Sequence, residues 1–318
     1  MMEINGSNQR YISKMDKKVT NSIFFIGVGR SGTTIIFEAF AAHEELSWFS
    51  NYLSRHPKYP IISLLSRLTF SNSLLGAEKQ IAKQSKLKNH LPYPHECYSV
   101  WETCCGAKFL FDFLKDKEAG ETEKKRLIKT ILKVMQYHGK KRFAAKITGP
   151  SRIHYLNSIF PDAKFIHIIR DGRSVVNSLM NVKFWKEGGG YYKPWWDNGL
   201  TDKDIEIYEK YQRSPLALAA VQWRRIINMA RDESKKIKSN RYCELKYEDF
   251  IKNPYGLMQE LFDFSGLDYS QKVKKYMDKR SNFKNQNYKF LESMSKNEID
   301  MLNDIMGNLM TDLGYLIT

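Results

Sequence analysis

Apolar residues along this chain follow two rhythms. A nearly continuous apolar run at 23–28 reads as a strand buried on both faces, the pattern of a parallel sheet, and 142–147, 165–169 and 242–246 read as further strands. A briefer run at 46–49 predicts one more short strand. Between these runs the apolar positions move to helical spacing. Leu127, Ile128, Ile131, Leu132 and Met135 predict an amphipathic helix over 121–138. Leu216, Ala219, Ala220, Trp223, Ile226, Ile227 and Ala230 predict a long helix after Pro215. Ile299, Leu302, Ile305, Met306 and Leu309 predict a last helix, opened by a Ser295/Glu298 capping box and stopped by Gly314. Shorter helices are expected over 32–42 and 153–159, around Ile61, Leu64, Leu65 and Leu68, and as a lysine-rich surface helix over 74–88. Strand–helix alternation predicts an α/β fold: one domain over 21–318 with a mainly parallel β-sheet flanked by helices, and residues 1–20 as a flexible tail.

Polar residues gather where the strands end. The first strand runs into Gly27-Val28-Gly29-Arg30-Ser31-Gly32-Thr33-Thr34 and then a helix. Strand, glycine-rich turn and helix N-terminus together form a phosphate cradle. Gly27 and Gly32 have the bracket spacing of a Walker loop, but Thr33 stands where that loop has its lysine, and the cation is Arg30 instead. Such a loop suits a phosphate without the group that reaches the terminal phosphates of ATP. A second strand end, Arg170-Asp171-Gly172-Arg173-Ser174, opens a helix that carries Ser178 two turns in. In a parallel sheet the carboxyl ends of the strands share one edge. Arg30 to Thr34, Lys146, Arg170 to Ser178, and Tyr247 should therefore converge on a ligand with two separated phosphate-like groups.

Composition narrows the partners. The 318 residues carry 51 basic against 35 acidic side chains, a net charge of +16, which favours an anionic ligand or partner. Cys97, Cys104, Cys105 and Cys243 lack metal-ligand spacing, the histidines form no H-x-x-x-H pair, and no metal is expected. The thiols favour a reducing compartment. Residues 1–20 have no apolar core, and no apolar run approaches a membrane span, so a cytoplasmic location is expected. Two alternatives compete: a P-loop nucleotide kinase or phosphotransferase, and a non-catalytic basic binder of anionic polymers using the aromatics of 185–196. No nucleic-acid motif is present, so no nucleic-acid partner is expected. The 185–200 loop reads either as an acceptor lid or as a surface loop pinned by its own aromatics.

The pairing of Gly27 to Thr34 with Phe165-Ile166-His167-Ile168-Ile169-Arg170-Asp171-Gly172-Arg173-Ser174 and Ser178 resembles the sulfotransferases that use 3′-phosphoadenosine 5′-phosphosulfate (PAPS). Lys146 before Thr148-Gly149-Pro150, Tyr247-Glu248-Asp249-Phe250 before Asn253-Pro254, and Lys289-Phe290 ahead of Leu313-Gly314-Tyr315 resemble further segments of that family, nearest its tyrosylprotein-like and bacterial branch. The resemblance implies the P-loop nucleoside-triphosphate-hydrolase-like sulfotransferase fold and PAPS as donor, without metal. It implies that Gly29, Arg30, Ser31, Gly32, Thr33 and Thr34 hold the 5′-phosphosulfate, chiefly through the amides of 31–34. Arg170 and Ser178 would bind the 3′-phosphate, Tyr247 and Lys289 would help close the donor site, and Lys146 and Arg30 would act in catalysis. The tyrosylprotein branch places a glutamate base soon after its first helix, but residues 48–52 here contain no acid. Glu96, in Pro94-His95-Glu96, is the candidate base for a hydroxyl-bearing acceptor, with His95 and His43 as alternatives; His167 is expected in the core.

Overall fold

Five parallel strands form one sheet in the order β2-β3-β1-β4-β5. They are β1 (Ile23–Gly27), β2 (Leu46–Ser47), β3 (Arg142–Thr148), β4 (Lys164–Ile169) and β5 (Tyr242–Lys246). The computed structural model describes residues 18–67, 91–280, 283 and 285–315. Most of the tail expected over 1–20 and the helix expected over 74–88 lie outside the described residues.

β1 is central because it is apolar throughout, and all five of its residues are buried. Alternate side chains enter opposite layers. Phe24 packs against Phe160, Phe165 and Trp101 on one face. Phe25 packs against Phe37 and Phe40 of α1 (Thr33–Phe40) on the other. The register sets Gly27 opposite Thr148 of β3 and Ile168 of β4, so these three strands end level at one edge.

The helices fall where the apolar spacing places them. These include α4 (Glu121–His138), α5 (Ile153–Ile159), α7 (Pro215–Ser234) and α9 (Lys296–Asp312). Ser295 and Glu298 form the expected capping box on α9. Glu233, near the end of α7, is fully buried and accepts from Ser151 Oγ at 2.8 Å and from the amide of Ile153 at 2.8 Å. It thereby fixes the turn between β3 and α5.

Two local expectations change. The strand expected over 46–49 stops at Ser47, because the next backbone groups pair with another segment. His95 donates its amide to the Phe49 carbonyl (2.8 Å), and Asn51 donates to Tyr93 (3.1 Å). Ser50 then caps a short helix, α2 (Asn51–Arg55). The apolar group Ile61, Leu64 and Leu65 lies on a 3-10 helix, Pro60–Ser66, and faces outward. Among the described residues, no helix is long and apolar enough to cross a membrane.

Candidate active site

The glycine loop between β1 and α1 is held open by backbone geometry. Arg30 and Gly32 both have positive φ, 74° and 83°. A Cβ on Gly32 would lie 2.2 Å from the Tyr247 ring, so glycine is required there on two counts. The Ser31 amide bonds the Val28 carbonyl at 3.1 Å, closing the turn. That removes Ser31 from the amides expected to face an anion. The first-turn amides of Thr33 and Thr34, which an α-helix leaves without intrahelical partners, are the donors aimed along the axis. The buried Ser31 hydroxyl has no hydrogen-bond partner, and the space beside Gly29 is open. Thr33 is buried against Gly27, whereas Thr34 is exposed towards the cleft.

The second strand end meets this loop directly. Arg30 Nε donates to Ser178 Oγ at 2.9 Å, although 148 residues separate them. Ser178 lies on α6 (Gly172–Met180), whose first turn follows Arg170. Arg170 Nη1 donates to the Arg30 carbonyl at 3.0 Å, and its guanidinium lies over the Tyr247 ring, 4.7 Å from the centroid. Burial pulls the Arg170 pKa below its usual value, and neighbouring Tyr247 and Glu248 oppose that pull. Tyr247 opens α8 (Tyr247–Lys252) at the end of β5. One ring therefore contacts both the loop glycine and the second arginine.

The third group sits at the end of β3. Lys146 is 8% exposed and donates to Thr34 Oγ1 at 2.7 Å. Its Nζ also lies 3.3 Å from Glu96 Oε1. The strand thus presents a nearly buried ammonium between the loop and a carboxylate. Glu96 precedes α3 (Tyr98–Cys105), and two residues beyond each partner the chains meet again. The Tyr98 hydroxyl donates to the Thr148 carbonyl at 2.5 Å and accepts from the Thr148 amide at 3.1 Å. His95 adjoins the pair. Burial, aided by the charge of Lys146, lowers its pKa against the opposing pull of Glu96. Its Nδ1 accepts from the Cys97 amide (3.1 Å), which leaves the ring hydrogen on Nε2.

The other sequence candidates divide clearly. His43 is buried, with Nδ1 accepting from the Glu45 amide and Nε2 facing the Asp268 carbonyl, so it closes the turn after α1. His167 is buried in β4 against Tyr242. Lys289 is exposed at the start of the helix Lys289–Ser293. The residue from that segment that reaches Arg170 is Asn287, whose Oδ1 accepts from Arg170 Nε at 2.8 Å. Asn287 Nδ2 in turn donates to Glu248, which also accepts from the Asp171 amide (3.1 Å) and the Tyr315 hydroxyl (2.8 Å). Asn287 and Tyr98 carry no motif, and only the geometry marks them. In the 185–200 loop, Trp185 and Trp195 stack at 5.4 Å, and Trp196 packs against Gly149, where a Cβ would meet it at 2.6 Å. The loop is thus pinned by its own aromatics and also reaches the β3 strand end.

A family model described as "Sulfotransferase family" matches residues 22–271. The chain belongs to the sulfotransferase family. Among its relatives, omega-hydroxy-beta-dihydromenaquinone-9 sulfotransferase Stf3 of Mycobacterium tuberculosis is 29% identical over 164 residues, covering 49% of this chain and 38% of that protein. Protein-tyrosine sulfotransferase A of Caenorhabditis elegans is 23% identical over 158 residues, 48% of this chain and 36% of that protein. The matches therefore span less than two fifths of these relatives. Among solved structures, the fold is shared with sulfotransferase STF9 of Mycobacterium avium (TM-score 0.60, 15% identity, 97% of this chain and 82% of that one). It is shared also with STF1 of M. tuberculosis (TM-score 0.56, 14% identity, 94% and 80%).

Proposed function

We propose that this chain transfers the sulfuryl group of PAPS to a hydroxyl of its acceptor by in-line displacement. The observation that carries the reading is the meeting of Arg30, Arg170 and Ser178 beside the Lys146–Glu96 pair. Two arginines and a serine hydroxyl on adjoining strand ends suit a nucleotide with phosphates at both its 5′ and 3′ positions. Thr33 in place of the Walker lysine disfavours an ATP-dependent kinase.

In this mechanism the first-turn amides of α1 and Arg30 hold the 5′-phosphosulfate. Arg170 and Ser178 hold the 3′-phosphate, and Tyr247 supports the Arg170 guanidinium. The acceptor oxygen attacks sulfur as its proton passes to Glu96. His95, whose Nδ1 already accepts from the Cys97 amide and whose Nε2 carries the hydrogen, is not the base. The bond from sulfur to the bridging oxygen breaks, and 3′-phosphoadenosine 5′-phosphate (PAP) leaves with the electron pair. Lys146 neutralises charge on the leaving oxygen, so catalysis rests on positioning and electrostatics. Trp196 beside Gly149 gives the acceptor side an aromatic wall. Two relatives are named for a hydroxylated dihydromenaquinone and for protein tyrosine, and a hydroxyl on an apolar or aromatic body is the acceptor class we favour. The four cysteines are free, consistent with a reducing compartment such as the cytoplasm.

Calorimetric titration with PAP and with ATP tests the donor, and transfer of label from 35S-labelled PAPS tests the reaction. Saturable PAP binding that is weakened in Arg170→Ala and Ser178→Ala is expected. Ordinary ATP affinity with no PAP binding would overturn the proposal.

A further inference from the structure

The 3-10 helix Pro60–Ser66 is inside out. Ser63 and Ser66 are fully buried, whereas Ile61, Leu64 and Leu65 are 54%, 39% and 42% exposed, and Tyr59 just before them is 62% exposed. A 3-10 helix repeats every three residues, so positions 63 and 66 share the inner face and 61 and 64 the outer. Four large apolar side chains therefore face outward from one short segment.

The flanking sequence is cationic. No Asp or Glu occurs between Glu45 and Glu78, while Arg55, Lys58 and Arg67 flank the patch and are exposed. Arg67 also binds the end of α4, donating from Nη2 to the Gln136 carbonyl at 3.2 Å and from Nε to that of Tyr137. This anchors the segment in its outward-facing pose. At its other end the segment follows α2, where the Ser54 carbonyl accepts from Ser99 Oγ on α3, the helix just after Glu96. The patch thus extends from the wall that carries the candidate base.

We propose that this segment is a membrane-contact surface that seats the protein on a bilayer containing anionic lipid. Tyr59, Ile61, Leu64 and Leu65 would enter the boundary between headgroups and acyl chains, and Arg55, Lys58 and Arg67 would meet the lipid phosphates. Interfacial anchors combine these two features: an apolar face that enters shallowly and flanking cations attracted to anionic lipid. Exposed apolar side chains flanked by cations match a lipid surface. The inference goes beyond sulfuryl transfer and does not depend on it.

Co-sedimentation of the full chain with two kinds of vesicle tests it: phosphatidylcholine alone, and phosphatidylcholine mixed with equal phosphatidylglycerol. Binding to the mixed vesicles that weakens with added salt is expected, with little binding to the neutral ones. Ile61→Asp/Leu65→Asp should lower partitioning by about tenfold or more, with circular dichroism and thermal unfolding unchanged because both side chains are exposed. If that variant does not fold, Ile61→Ser/Leu65→Ser makes the same comparison. Wild-type protein left in the supernatant, or equal partitioning of variant and wild type, would overturn the proposal. So would a wild-type dimer that the variant converts to monomer, since a second copy would then cover the patch.

Discussion

Tyr98 and Thr148 exchange two hydrogen bonds, and each lies two residues beyond a member of the Glu96–Lys146 pair. The clasp ties the start of α3 to the end of β3 through backbone groups of the strand. It therefore fixes the separation between the candidate base and the cation. Tyr98→Phe should lower stability by about 1–2 kcal/mol, because the Thr148 amide loses its acceptor in a half-buried setting. Turnover should fall by about tenfold to a hundredfold through misplacement, while PAP affinity holds. Thermal unfolding, initial rates and PAP titration on the same preparation separate these effects. Full turnover in a destabilised variant would leave the clasp with a purely structural role.

Lys146 is the ammonium nearest to both Thr34 and Glu96 among the contacts described above. Lys146→Ala should reduce turnover by about two to three orders of magnitude, the scale for losing one transition-state electrostatic contact. PAP should still bind, since the arginines remain. Single-turnover rates at saturating PAPS are the relevant measurement. An unchanged rate in a folded variant would remove Lys146 from the chemistry.

Gly32→Ala places a methyl against the Tyr247 ring at a backbone angle that favours glycine. A destabilisation on the order of 1–3 kcal/mol is expected from the strain alone. PAP affinity should fall with it, because the first turn of α1 must shift. Denaturant unfolding with and without PAP reads both. Wild-type values on both counts would show that the loop accommodates the methyl freely.

The pH dependence of stability has a clear source in His138. This buried residue ends α4, faces Ser47 Oγ at 3.0 Å, and has its pKa pushed down to about 3 from 6.5 by burial, with Lys140 and Arg67 adding to the effect. The folded state thus keeps the ring neutral, whereas the unfolded chain takes up a proton below 6.5. Stability should be fully present above that value and decline as pH falls towards 3, by roughly 1.4 kcal/mol per unit from this group. His138→Gln should flatten that limb. Chemical denaturation at a series of pH values is the check, and an identical slope in the variant would assign the decline to other groups.

Much of this architecture is legible in the residues alone. Continuous apolar runs mark β1 and most of β4, which are buried on both faces. By contrast, β5 (Tyr242–Lys246) is mostly half-buried, with Glu244 exposed, and is read from its place in the strand–helix alternation. The helix over 121–138 coincides with α4, since its apolar stripe and surrounding polar face are regular. Arg30, Arg170, Ser178 and Tyr247 could be named before any coordinates because each stands at a strand end or one helix away from it. The residues missed are those that act through position. Asn287 reaches Arg170 from a segment whose visible cue was Lys289, and amide side chains in loops carry no periodic signal. The outward face of Ile61, Leu64 and Leu65 was hidden for another reason. Apolar spacing reports which residues share a face but not which way that face points.

The ring of Tyr247, against both Gly32 and the Arg170 guanidinium, would make the two proposed anion subsites a single mechanical unit. A nucleotide that fills one end settles the floor beneath the other. Adenosine bisphosphate should therefore bind more tightly than the separate affinities of its two half-ligands would multiply to give. Removing the ring should abolish that surplus and leave two weak, independent grips.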